Sequence, residues 1–456
     1  MRAFQQVAAA ISIVSAATAA GSSGRVEIPY VDARAVVEAH QADLPRELRS
    51  LDARALETAW PNWVSRHNAD IRARLAHGDE DSVVNLWLYG TTFTRRPRVT
   101  DRQAASLANP EAIQDLLIGR LDDFVAAMAR PGANERLRFA RDLIGSKGID
   151  LATAAGREQA RVYLVGVRER VIAENERYRR GAESPSAYST LFRDRGLSSD
   201  TRLTASFAVD KALDALAASG RVTPGRVTRV AIVGPGLDFT DKAEGYDFYP
   251  LQTIQPFALV DSLLRLKLAA SGLRVVTLDL SPRVNRHLED ARRRASEGTP
   301  YTIQLPLARD DAKHQWHPDL VAYWQRFGAD TGKATPAASA PAIAGDVRVR
   351  AVAIRPAIVT AIDPRDVNII LERLDPLPDN ERFDLIIATN ILVYYDAFEQ
   401  SLALANISKM LKPGGFFLTN YAVTPRPPME TTASITAPVF FDQQQNGDTV
   451  YGYRRQ

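Results

Sequence analysis

Apolar residues fall into two regimes along the chain. From residue 25 to residue 220 they recur every three or four positions, the spacing of one buried helix face. Leu56, Trp60, Trp63, Val64 and Ile71 predict a helix over 52–75, which Pro61 either kinks or restarts. Residues 82–91 form an apolar block with Gly90 near its end. Ile113, Leu116, Leu117, Leu121, Phe124 and Val125 predict a helix over 111–128, and similar spacing predicts helices over 134–144, 156–178 and 203–218. This half reads as a mostly helical domain over 25–220, led by short irregular elements. A polar, Ser-rich stretch crosses 179–201, and residues 220–225 link this half to the next.

From residue 226 the pattern becomes short continuous apolar runs, the mark of strands buried on both faces. Runs at 229–233, 273–278 and 383–388 predict three such strands, with further strands expected at 301–307 and within 346–362. Helices are expected over 257–270, 283–295 and 317–327, and after Asp396, where Asp396 and Glu399 have the spacing of a capping box. Lys409 and Lys412 fall in the last turn of that helix, before Pro413-Gly414-Gly415 stops it and 416–418 starts a strand. Residues 329–345 read as a low-complexity, mobile loop, and 367–371 is ambiguous between strand and helix. Residues 438–441 and 449–453 flank Asn446-Gly447-Asp448, a hairpin turn. Strand–helix alternation over 226–456 predicts an α/β fold with a largely parallel, Rossmann-like sheet.

Candidate chemistry sits at strand ends, where open α/β sheets bind ligands. Gly234-Pro235-Gly236-Leu237 follows the first strand, where glycines let backbone N–H groups approach a ligand. Asp279, followed by Leu280, ends the second; an acid there can accept both hydroxyls of a ribose, or simply cap the next helix. Phe239 stands where a dinucleotide motif has its third glycine, which argues against a bound pyrophosphate. Asn390 and Ile391 follow the third strand as ligand contacts, and Tyr394 and Tyr395 are the candidate substrate-facing residues, against turn and packing roles. Tyr246, Phe248 and Tyr249 read as a lid or as plain loop packing; His287, His314 and His317 read as surface groups.

Composition narrows this picture. With no cysteine, disulfides, thiolate nucleophiles and Cys-type zinc sites are excluded. Six histidines without paired spacing argue against a metal site. A net charge of +3 implies no nucleic-acid partner. Residues 7–20 are apolar or small and include Ala17-Thr18-Ala19, so 1–20 reads as a signal peptide and the protein as exported, periplasmic or secreted, with the cytoplasm as the alternative. No run is long enough to cross a bilayer.

The sequence FDLI from Phe383, a helix, and then LKPGGFFL from Leu411 resemble the second half of class I S-adenosylmethionine (SAM) methyltransferases. TNILVYYD, from Thr389 to Asp396, is more narrowly similar to chemotaxis-receptor methyltransferases. The resemblance covers 226–456 and implies a seven-stranded sheet closed by a C-terminal antiparallel hairpin, with SAM as cofactor. It also places an acid near the adenine amine, here Glu372, 11 residues before Phe383. The activity implied is methyl transfer to an unidentified small molecule or protein side chain. The competing classes are a non-catalytic SAM- or nucleoside-binding module on the same fold and an NAD(P)-dependent oxidoreductase.

Overall fold

A computed structural model describes residues 24–99, 110–181, 196–198, 203–240, 246–310, 315–441 and 447–456. The stretch 1–20 that reads as a signal peptide, His314, and Asn446 of the expected hairpin turn lie outside the described residues. In chain order the elements are β1 (Gly24–Glu27), α1 (Tyr30–Ala39), α2 (Arg46–Arg49), α3 (Ala53–Tyr89), α4 (Pro110–Ala129), α5 (Glu135–Ser146), α6 (Ala154–Gly181) and α7 (Leu203–Ala218). There follow β2 (Val227–Val233), α8 (Gln255–Arg265), β3 (Ala269–Asp279), α9 (Pro282–Ser296), β4 (Tyr301–Ala308), α10 (Pro318–Arg326) and β5 (Gly332–Thr335). The chain ends with β6 (Val347–Ile354), α11 (Pro356–Thr360), β7 (Ile362–Asp366), β8 (Glu372–Asp375), β9 (Phe383–Ala388), α12 (Ala397–Met410), β10 (Leu411–Thr419), β11 (Met429–Pro438) and β12 (Gly447–Arg455).

Seven strands form one sheet in the order β11-β12-β10-β9-β2-β3-β7. β10, β9, β2, β3 and β7 are parallel neighbours, and β12 enters antiparallel between β10 and β11. The order reverses at β2, whose neighbours are β3 and β9. A reversal of this kind opens a crevice beyond the strands' carboxyl ends. Val230, Ala231, Ile232, Ile386 and Ile387 are almost wholly buried, as a strand covered on both faces requires.

One sheet face packs with α1, α12 and the first half of α3, in a core that joins Trp60, Trp63 and Ile71 to Ile386, Phe398 and Leu402. The other face packs with α7, α8, α9 and the β4-β6-β5 sheet. The second half of α3 joins α4, α5 and α6 in a separate core around Trp87, Phe124 and Leu164.

Several expectations are corrected. The helix over 52–75 and the apolar block 82–91 are one 37-residue helix with Pro61 inside it. The join is polar in sequence, but Glu80 is neutralised by Lys147 and Arg170 at 2.7 and 2.6 Å, so a charged run continues the helix while buried. The segment 329–345 carries β5, which pairs with β6, so backbone bonds fix part of what reads as a mobile loop. The helix expected over 257–270 ends at Arg265, and Ala269 already belongs to β3. The stretch 346–362 is two strands separated by α11, because Pro356 favours a helix start over strand pairing. The hairpin partner of β12 is 429–438, not 438–441; Val439 instead accepts from the His317 N–H and Phe440 bridges Trp316.

The capping box at Asp396 and Glu399 is present with both bonds at 2.9 Å. Lys409 pairs with Asp32 at 2.7 Å. Lys412 lies beyond the helix and binds Asp384 at 2.6 Å, which ties the Gly414-Gly415 bulge to β9.

Candidate functional site

The carboxyl ends of β2, β3, β7 and β9 surround a cavity of about 660 Å³ including its mouth. Its lining includes Gly234 and Gly236 after β2, Asp279, Leu280 and Ser281 after β3, Val367 and Ile369 after β7, and Thr389, Asn390, Ile391, Tyr394 and Tyr395 after β9. Leu75 from α3 and Leu197-Ser198 close it from the N-terminal half. Gly234, Gly236, Asp279, Leu280, Asn390, Ile391, Tyr394 and Tyr395 are thus brought together as the sequence suggests.

Each wall has a local cause. Gly234 and Gly236 both have positive φ, 62° and 65°, which glycine adopts without strain. A Cβ on Gly234 would lie 2.1 Å from Ile391 Cδ1, so this glycine is also what lets the β9 loop approach β2. Asp279 ends β3 facing the cavity, and its carboxylate accepts from the Ser281 N–H at 2.7 Å and from the Gly236 N–H. Burial outweighs these bonds and pushes its pKa from 3.8 up to about 7. Leu280, Val367 and Ile369 give the β3–β7 side apolar walls beside the Asp279 carboxylate, and Thr389 and Asn390 add polar groups on the β9 side.

Asn390 sits in the left-handed region at φ 57°. It is held there by Asn420 at the end of β10, which accepts from the Asn390 backbone N–H and donates to its side-chain oxygen, both at 2.7 Å. The 394–395 turn is pinned from α3: Arg74 donates to the Tyr394 carbonyl at 2.8 Å and its guanidinium lies 5.4 Å from the Tyr395 ring centre. Burial holds the Tyr395 phenol well above its ordinary pKa, so it is neutral at physiological pH. His67 bonds Glu399 at 2.9 Å, fixing α3 to the cap of α12.

Other expected residues are elsewhere. Glu372 does not line the cavity: it is 2% exposed, and its carboxylate accepts from Asn68 Nδ2 at 2.6 Å, Arg72 at 2.9 Å and the Asn368 N–H at 2.7 Å. It joins β8 to α3 and lies outside the lining of the cavity where the resemblance would put it. Leu237 is fully buried in the core and the Pro235 carbonyl accepts from Thr253, so neither lines the cavity. Tyr246 and Tyr249 are buried around Phe248 against Ala344, as packing rather than a lid over this cavity. His287 is not a surface group: it bonds the Tyr301 hydroxyl at 2.7 Å, and burial lowers its pKa to about 4. His317 caps α10, accepting from the Asp319 N–H. No cluster of metal-binding side chains occurs among the described residues.

Sequence reasoning missed Leu75, Leu197, Ser198, Ser281, Val367 and Ile369, whereas Thr389 follows β9 and lines the cavity as its position before Asn390 suggests. Val367 and Ile369 had a signal: an apolar run directly after a strand that opens the crevice. Leu197 and Ser198 had none, because their position depends on how residues 196–198 cross α3. There the Leu197 N–H donates to the Arg74 carbonyl at 3.2 Å, and a Cβ on Gly78 would lie 1.8 Å from the Leu197 carbonyl oxygen.

No protein-family model and no curated protein matches the chain. Among solved structures, the chain is similar to the N-methyltransferase NodS from Bradyrhizobium japonicum in complex with S-adenosyl-L-homocysteine, at 13% identity over 54% of this chain and 85% of that one, TM-score 0.26. A TehB-like SAM-dependent methyltransferase from Corynebacterium glutamicum shares 12% identity over 55% of this chain and 98% of its own, TM-score 0.24. The mitomycin 7-O-methyltransferase MmcR shares 13% over 89% and 99%, TM-score 0.30. At these scores the likeness carries no functional argument, and the chemistry has to be read from the cavity itself.

Proposed function

We propose that the protein binds SAM in this cavity and catalyses methyl transfer to an acceptor brought to its Asn390 end. The reading is carried by one observation: two left-handed glycines, a buried carboxylate and a conformationally restrained asparagine converge on a single cavity at the sheet's reversal point. The cavity fits an adenosyl group on its own terms. Asp279 is desolvated and bonded by backbone N–H groups, so hydroxyl donors from a ribose would relieve the cost of its charge. Leu280, Val367 and Ile369 offer apolar walls for a planar base. Gly234 and Gly236 keep the β2 turn free of side chains where the ligand's amino-acid end would pass.

When bound, SAM supplies an activated methyl group on a sulfonium whose leaving group is neutral. The chain's own contribution is positioning and exclusion of water. Asp279 fixes the ribose, the β2 turn sets the reach of the sulfur end, and Leu75, Leu197 and Tyr395 shield it. Holding two reactants in line supplies up to about 7–11 kcal/mol in the best cases. Among the described lining residues the titratable groups are Asp279, Tyr394 and Tyr395. Asp279 stands at the ribose end and Tyr395 holds its proton, so neither serves as general base at the acceptor. An acceptor that arrives already nucleophilic, such as a carboxylate, needs no base, and it is the acceptor class that the resemblance of the Thr389–Asp396 run implies; for any other acceptor Tyr394 is the titratable group left among the described lining residues.

Calorimetry of the full chain with SAM, S-adenosylhomocysteine and NAD(P) tests the proposal. Saturable binding of the first two and none of the last is expected. NAD(P) binding without SAM binding overturns it in favour of an oxidoreductase.

A further inference from the structure

Resting on that reading, we infer that Asn420 is a positioning residue that sets the polarity of Asn390, so that Asn390 offers the cavity a hydrogen-bond donor for the carboxylate of the ligand's amino-acid end. The orientation of a side-chain amide is usually ambiguous, but here a chain of bonds settles it. The Asn390 backbone N–H can only donate, so the Asn420 atom 2.7 Å from it is the oxygen. The other terminal atom of Asn420 is then the NH₂, which can only donate. The Asn390 side-chain atom 2.7 Å from it is therefore the oxygen. That leaves the Asn390 NH₂ as the end turned away from β10. It has no hydrogen-bond partner among the described residues, and Asn390 lines the cavity whereas Asn420 does not.

The left-handed backbone at Asn390 supports the same conclusion. Such a conformation persists where its surroundings over-determine it, and the two bonds from Asn420 do so. Sheet order fixes what the donor meets. Asp279 ends β3 and Asn390 follows β9, on opposite sides of β2 and its glycine turn. A nucleoside whose ribose rests on Asp279, with its base towards β7, extends its amino-acid end towards Asn390. An N–H donor there suits a carboxylate and does not suit an ammonium.

The test inverts the polarity. In Asn420→Asp the new carboxylate still accepts from the Asn390 N–H, but its second oxygen can only accept. It turns the Asn390 amide over and presents the oxygen to the cavity. Binding of S-adenosylhomocysteine and of 5′-methylthioadenosine, which lacks the amino-acid end, is measured by calorimetry. S-adenosylhomocysteine is expected to bind at least about tenfold more weakly and 5′-methylthioadenosine within about twofold of wild type. In an Asn390→Ala background, adding Asn420→Asp should change neither affinity, which separates amide inversion from through-space repulsion. Equal losses for both ligands, no loss, or the same loss in the Asn390→Ala background would overturn the inference. Should Asn420→Asp fail to fold, Asn420→Ala replaces it, with about a threefold loss confined to S-adenosylhomocysteine expected and any other pattern counting against. A wild-type protein that binds neither ligand refutes the adenosyl reading itself, an outcome distinct from all of these.

Discussion

Asp279→Asn separates the cost of the cavity's buried charge from its use. The oxygen that accepts from the Ser281 N–H survives the substitution, so the main perturbation is the loss of ionisation. In the folded protein Asp279 titrates at about 7, against 3.8 for the ordinary carboxyl. Between those values the folded state holds a proton that the unfolded state has released, so wild-type stability falls as pH rises, by about 1.4 kcal/mol per pH unit. Over about three units this reaches about 4 kcal/mol, complete above pH 7 and absent below pH 4. The variant lacks this slope. Urea unfolding at half-unit steps from pH 4 to pH 8 should therefore show the variant gaining on wild type as pH rises and levelling off above 7. The same titration governs the ligand. SAM affinity of wild type should fall about tenfold per pH unit below 7, as a proton competes with the ribose hydroxyls. The variant should bind about 1–3 kcal/mol more weakly at pH 8, with that dependence gone. Parallel stability curves for the two proteins across the range would refute the claim that Asp279 is held as a desolvated acid.

Gly234→Ala should destabilise the fold by more than about 1 kcal/mol in thermal melts and abolish SAM binding, because it puts a Cβ 2.1 Å from Ile391 at a φ of 62°. Gly78→Ala should displace residues 196–198, whose carbonyl lies 1.8 Å from the added Cβ; faster hydrogen exchange at Leu197 and weaker SAM binding in a protein that still melts cooperatively are the expected signature. For location, we propose that the leader is removed, and N-terminal sequencing of the mature protein should find a start just beyond Ala17-Thr18-Ala19; an intact Met1 would reject export by this route.

What was legible in the sequence was local. The β2 glycines, the Asp279 strand end and the Asp396–Glu399 box each declare themselves within a few residues, and the structure places each where its neighbours in sequence suggest. Features set by distant partners were not legible. Glu372 resembles an exposed cofactor acid until Asn68 and Arg72, some 300 residues earlier, are folded against it. His287 looks superficial until β4 brings Tyr301 to its ring. The polar run through Glu80 reads as a helix end because its counter-charges, Lys147 at the end of α5 and Arg170 on α6, lie far along the chain. In each case a charged or polar residue is buried at long range, and no short window of sequence carries that pairing.

The 37-residue helix α3 spans about 55 Å, with its two halves rooted in different cores and Arg74, Leu75 and Gly78 near its middle. It therefore resembles a beam resting on the rim of the cavity between two foundations. A tilt of the α4–α6 bundle against the sheet would be carried by α3 to the Arg74 contact that holds the Tyr394 turn.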